Sequence, residues 1–277
     1  MQPALEAVWA ELLLGPPPSR DRLLAHGREH GLDPADLEAL GESYERLLVY
    51  RELVHGNLRE ALGLSIPRSI ARLGPLFDEY FSRFLAERAP RTHYLRDVTP
   101  ELLEFCAPLW GSDPRVPSYL ADLARHESLH IEVSALPSLP RDHVPAPLAL
   151  DQAVELGAAL RLVEYRHAVH ELPAEEDDRS VPARRDVALL VYRSPEHDVR
   201  YLELSPIAHA IVERLLTHET LENALKTAVS RCHGELTEAV LSGAAALLAD
   251  LAERGIVWGP KPAGLRYSRP LTHPKSP

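Results

Sequence analysis

The chain has 277 residues, of which 45% are hydrophobic, and its 41 acidic side chains outnumber 30 Lys and Arg to give a formal net charge of −11. That length suits two domains, and the apolar content supports a packed core and excludes a wholly disordered chain. The acidic balance argues against duplex binding, which normally calls for a basic face.

Cys106 and Cys232 lie too far apart in sequence for a metal or redox spacing, and they suit a reducing compartment with free, buried thiols. No run of about 20 apolar residues marks a membrane span. The N-terminus lacks the basic and apolar layout of a secretory signal. The expectation is a cytoplasmic protein without a membrane partner.

The first half reads as helical. Leu5 to Leu14 forms an amphipathic helix ended by Gly15-Pro16-Pro17-Pro18, and Asp21 to Gly27 a short second one. Ser43 to Leu62 is the longest, with Tyr44, Leu47, Leu48, Val54, Leu58 and Leu62 near one face. Pro67 opens a short helix to Leu73, which Gly74-Pro75 breaks, and Pro75 to Arg88 carries Phe77, Tyr80, Phe81 and Phe84. Thr99-Pro100 reads as a cap followed by a first-turn proline, and Pro117 to His130 is the last helix. These elements predict a helical domain over 1–135. Pro137, Pro140, Pro145 and Pro147 then predict a linker over 136–150.

The second domain is expected over 151–262, with a loosely packed tail over 263–277. Leu160 to Tyr165 alternates like a strand and can extend through Ala168-Val169-His170. Pro173 to Arg185, with Glu175-Glu176-Asp177-Asp178, reads as a mobile acidic loop. Val187 to Tyr192 is densely apolar, Ser194 to Asp198 is turn chemistry, and Val199 to Leu204 resumes the strand pattern. Ser205-Pro206 starts a helix bearing Ile207, Ile211, Val212 and Leu215. Thr220 caps a second helix bearing Leu221, Ala224, Leu225 and Ala228. A third carries Val240, Ala244, Leu247, Leu248 and Leu251, and Gly255 sits where a left-handed residue ends it. Ile256-Val257-Trp258 is a short closing strand able to return to the sheet. The fold class is α+β: a helical N-terminal domain, then a small winged-helix-like domain with a three-stranded antiparallel sheet and three helices.

Nothing in that second domain looks catalytic. No G-x-S-x-G, P-loop or dinucleotide glycine pattern occurs. Val199, Tyr201 and Glu203 fall on one face of their strand and Arg200, Leu202 and Leu204 on the other, a mixed pattern that fits a sheet edge. An edge must be covered, blunted or used, and adding an extended peptide to it is a recurring mode of recognition. The candidate peptide-binding residues are Val199, Arg200, Tyr201, Leu202, Glu203, Leu204, Ile207 and Ile211, with pockets expected near Tyr201, Ile207 and Ile211.

Two rival readings come from the same residues. His126-Glu127-Ser128-Leu129-His130 matches H-E-x-x-H, in which two histidines on one helix face grip zinc and the glutamate serves as base. A zinc hydrolase at His126 and His130 would need a third ligand, and Glu132, Glu155 and His167 are the downstream candidates. With 14 histidines in the chain, chance matches are common. The other rival is a winged-helix regulator reading DNA with the helix 221–232, which offers Lys226 and Arg231 against Glu222.

A family resemblance adds to this. Tyr50-Arg51, Asn57-Leu58-Arg59-Glu60-Ala61-Leu62, Ile66-Pro67, Arg72-Leu73-Gly74, Phe77 to Phe84, and Pro117-Ser118-Tyr119-Leu120-Ala121-Asp122-Leu123-Ala124-Arg125 with Glu127 together resemble the N-terminal domain of the HvfC/BufC family, long labelled DNA-binding. Leu160 to Val169, the hairpin 187–204 and Leu204-Ser205-Pro206 resemble the C-terminal part of that family, which is similar to PqqD-like peptide-recognition elements. The resemblance covers about residues 40–258. It implies a non-catalytic partner of a multinuclear non-haem iron oxidative enzyme, a TIM barrel. The partner binds the leader of a ribosomally made precursor peptide and presents the core, often at cysteines, to the enzyme. No cofactor is implied in this chain; the iron belongs to the enzyme. The resemblance also implies an apolar residue at position 126, which makes the zinc-like motif a Glu-x-x-His with an incidental histidine in front.

Overall fold

The computed structural model describes residues 3–137, 147–157, 159–232, 234–235 and 237–261. The expected linker 136–150 therefore falls mostly outside the described residues, as does the tail. The chain separates into two compact units: Met1–Ser128 with Leu172–Val181, and Leu129–Glu171 with Pro182–Pro277. Among the described residues no helix is long and apolar enough to cross a membrane.

Unit 1 is helical: α1 (Pro3–Leu14), α2 (Arg20–Glu29), α3 (Pro34–Ser65), α4 (Pro67–Leu73), α5 (Leu76–Glu87), α6 (Val98–Ser112) and the first part of α7 (Leu120–Ser134). α3 begins at Pro34, well before Ser43, because Asp33 caps it, its carboxylate accepting from the Asp36 N–H at 2.9 Å. The helix stops at Ser65 because Ile66 precedes a proline and is forced out of the helical region, with φ −136° and ψ 51°. Thr99 does not cap α6. The helix starts one residue earlier, led in by a 3-10 turn at Leu95–Asp97, and Thr99 is buried in its first turn. The main core gathers Leu62, Ile66, Phe81, Phe84, Leu102 and Leu120 around Cys106. Burial pushes the Cys106 thiol up to about 12. Cys232, in unit 2, is exposed and so departs from the expected pair of buried thiols.

The acidic stretch expected to be a mobile loop is tied into unit 1. Arg68 on α4 donates to the Pro173 carbonyl at 2.9 Å, and Arg72 pairs with Asp178 at 3.1 Å. The Arg72 side chain is 1% exposed. A cation that deep requires a carboxylate, and the acidic run supplies it.

Unit 2 contains β1 (Val154–Leu156), β2 (Leu160–Tyr165), β3 (Val187–Arg193), β4 (Val199–Leu204), α8 (Pro206–Leu216), α9 (Leu221–Arg231), α10 (Glu238–Glu253) and β5 (Val257–Pro260). The sheet is antiparallel with order β2-β3-β4. Ser205, Thr220 and Thr237 cap α8, α9 and α10, and Gly255 takes φ +73° beyond α10. The closing strand pairs with β1 in a separate two-stranded sheet and does not return to the main one. β2 ends at Tyr165, and Val169–Glu171 forms a 3-10 turn where strand was expected to continue.

One face of the sheet, with Leu160, Leu190, Tyr192 and Leu204, packs on Ile211, Leu215, Leu225 and Leu248 of the three helices. On the other face Arg161 bonds Glu132 at 2.6 Å, and Arg193 donates to the carbonyls of Ser134 and Leu136 at the end of α7. Leu189 and Val191 are buried on that face too. Cover on both faces explains why β3 is a continuous apolar run instead of an alternating one.

Candidate peptide-docking edge

β4 is an edge strand: it pairs with β3, and no further strand joins it among the described residues. The outward direction of its backbone follows from the hairpin. Ser194 donates to the Asp198 carbonyl at 2.8 Å, and the register then pairs Arg193 with Val199 and Tyr192 with Arg200. Opposed residues of an antiparallel ladder alternate between bonded and non-bonded pairs. Counting from the bonded pair at Ser194 and Asp198, Arg200, Leu202 and Leu204 bond β3. The N–H and C=O groups of Val199, Tyr201 and Glu203 point away from it. The other strand junction agrees, since Arg193 donates to the Ala159 carbonyl at 2.9 Å and so faces β2.

The side chains divide differently. Arg200, Tyr201 and Glu203 are exposed, Val199, Leu202 and Ile207 are partly exposed, and Leu204 is buried. The six strand residues and Ile207 thus sit together at one margin. Ile211 does not join them: it is 2% exposed and lies in the core under the sheet. Helical spacing puts Ile211 on the same stripe as Ile207, but one turn deeper, where it supports the margin from beneath.

Glu203 anchors one end of the edge. Its carboxylate accepts from Arg185, and His170 Nε2 lies 3.0 Å away. Arg185 also bonds Glu171 at 2.6 Å. The Arg185 guanidinium holds the Glu203 carboxyl below its usual range. His170, Glu171 and Glu203 are the one group of three possible metal ligands among the described residues, their ligand atoms lying within 4.8 Å of one another. Arg185 spans both carboxylates and supplies the positive charge that a metal ion would bring. The arrangement works as an ionic clasp between β4, the 3-10 turn after β2 and the approach to β3. Sequence reading missed it because its members come from three remote segments.

The H-E-x-x-H residues are placed on α7, with His130 exposed. The Glu127 side chain is 5% exposed and accepts from the Arg68 and Ser69 N–H groups at 2.9 and 3.0 Å and from Ser69 Oγ at 2.6 Å. It caps α4, whose own N-cap residue, Ile66, has no side-chain acceptor. A carboxylate so engaged is not available as a general base, and none of Glu132, Glu155 or His167 joins the two histidines as a third ligand in a cluster of the described residues.

The cations of α9 are also engaged: Lys226 bonds Glu222 at 2.6 Å and Arg231 pairs with Glu213. That leaves the proposed reading helix with little charge for phosphate.

Residues 158–252 match the family model of the HvfC C-terminal domain. That span takes in β2, β3, β4, α8 and α9, and α10 but for its last residue, and it therefore contains the whole docking edge. No curated protein matches the chain.

Proposed function

We propose that this chain is a non-catalytic partner protein whose β4 edge binds the leader of a ribosomally made precursor peptide and presents it to a multinuclear non-haem iron oxidative enzyme. The observation that carries the reading is the coincidence of an open strand edge with the match to the HvfC C-terminal domain over 158–252. The leader lies along β4 as a fourth strand. Its backbone pairs with the outward groups of Val199, Tyr201 and Glu203, a contact that tolerates many sequences. Selectivity comes from Tyr201 and Glu203 on one side of the strand and from Leu202 and Ile207 on the other. Oxidation takes place at the enzyme's iron, and this chain contributes binding and placement.

Proline substitution tests the edge directly. Tyr201→Pro removes an outward N–H while leaving the ladder to β3 intact. A single hydrogen bond is worth about 1 kcal/mol net, and the proline also obstructs its neighbour, so leader affinity should fall by about tenfold or more. The control is Glu164→Pro on β2, the opposite edge, where the register likewise turns the residue-164 N–H outward. Titration calorimetry of both variants with the leader peptide distinguishes the edges. Loss of affinity in Glu164→Pro alone would move the site to β2, and unchanged affinity in both would refute strand addition.

A further inference from the structure

The longest helix of unit 1 carries an exposed apolar stripe. Among the large hydrophobic side chains exposed in the described residues, Val49, Leu53 and Leu64 are all on α3, at 61%, 60% and 75% exposure. At about 100° per residue these three fall within an arc of about 60°, and Glu60 lies within the same arc. The opposite side of the helix, with Arg51, Leu58 and Leu62, is the buried side. A single exposed leucine needs no explanation. A row of them along one line of a 32-residue helix is the pattern of a helix that meets something.

The charges beside the row say what kind of surface fits. Glu42, Glu45 and Glu60 are exposed and form no ion pair among the described residues. Other charges nearby are already spent within unit 1: Glu52 pairs with Arg51 at 2.8 Å, and Arg59 pairs with Asp78. Arg46 is the one exposed cation close to the row, bonded to Ser43 Oγ at 3.2 Å. The stripe is therefore apolar at Val49, Leu53 and Leu64, with Glu42 and Glu60 on the same line and Glu45 beside it. A second copy would bring the same acidic groups and gain little from them.

We infer that the Val49–Leu53–Leu64 stripe of α3 is a protein-docking surface whose occupant is a partner protein presenting apolar side chains set among Lys and Arg. This rests on the functional reading in one respect: the partner is taken to be the oxidative enzyme. The peptide has its own place on β4. Leu53, one turn from Val49, is the anchor, and Glu60 and Glu45 steer the partner's basic side chains.

The test uses the full chain, the co-expressed iron enzyme and the leader peptide as separate analytes. Leu53→Glu should weaken enzyme binding by at least tenfold in biolayer interferometry while leaving leader affinity unchanged. Glu60→Arg should weaken enzyme binding about threefold, with the loss vanishing in high salt. Leu53 is exposed, so circular dichroism should show both variants folded. If the wild type binds the enzyme and Leu53→Glu binds it equally well, the stripe proposal alone falls. If the wild type does not bind the enzyme, the functional reading fails first and the proposed occupant goes with it. A wild-type dimer in light scattering that Leu53→Glu turns into a monomer would assign the stripe to a second copy and overturn the proposal.

Discussion

The two units are open to the outside in different ways. The elements of unit 1 are helices, whose backbones pair internally, and even the start of α4, where Ile66 offers no cap, is closed by the Glu127 carboxylate reaching from α7. What it leaves uncovered is side-chain surface, the apolar row on α3. Unit 2 does the reverse. Its side chains are buried on both faces of the sheet, while no further strand joins β4 among the described residues and the N–H and C=O groups of Val199, Tyr201 and Glu203 point away from β3. Exposed side chains discriminate between partners by shape and charge. An exposed strand accepts any extended chain and leaves discrimination to a few neighbouring side chains. The contrast matches two kinds of guest, a folded protein of fixed surface and a flexible peptide.

The contrast can be broken hardest at Glu127. If unit 1 is closed by that carboxylate, Glu127→Ala strands two backbone N–H groups, Ser69 and Arg68 in a nearly dry site. The expected loss is about 3 kcal/mol of unfolding free energy, read by chemical denaturation. Glu127→Gln should recover part of it, because the amide oxygen can still accept. A loss near zero in the alanine variant would mean that water serves α4 as well as the carboxylate does.

Unit 2 offers a milder test next to the edge itself. Ser205 accepts from the Ala208 N–H and starts α8 directly after β4. Ser205→Ala should cost about 1 kcal/mol and leave leader affinity unchanged, since it touches none of the outward groups of β4. A drop in affinity without a drop in stability would place the peptide nearer the start of α8 than the strand-addition geometry puts it.

Local chemistry made most of these elements legible in the sequence. Ser205-Pro206, Thr220 and Gly255 punctuate the helices of unit 2 where the structure has them. The alternation in Val199–Leu204 located the edge, and the unbroken run Val187–Tyr192 located the central strand. The early start of α3 at Asp33-Pro34 was a local signal passed over, but the other failures involve tertiary partners. Thr99 looks like a cap because threonine before proline usually is one, yet packing draws it into the helix. The acidic run around Asp178 looks mobile until Arg72 is seen to need a carboxylate. Ile256-Val257-Trp258 looks like a strand, and one runs over Val257–Pro260, but its partner, β1, is too short to announce itself. The clasp of His170, Glu171, Arg185 and Glu203 carries no local signal, because its members are unrelated in spacing.

That clasp gives the smallest of the expected effects and the sharpest statement about how stiff the edge is. The Glu203 carboxyl is held below its ordinary range, chiefly by the hydrogen bond from Arg185 and also by His170. A carboxyl depressed on folding adds stability above its unfolded pKa of about 4.3. That contribution drains away as the pH falls from there through the lower folded value. Arg185→Gln removes the largest cause of the depression, so the variant should have less stability to lose in acid. Unfolding midpoints measured from pH 7 to pH 3 should start lower for Arg185→Gln and converge on the wild type as the pH falls below about 4. The exposed setting of both partners keeps the gap modest, and salt should narrow it at neutral pH. Curves that run parallel over the whole range would mean that the guanidinium contributes packing without charge. The β4 end would then be held by contacts indifferent to pH, and a docked peptide would meet an edge that acid does not loosen.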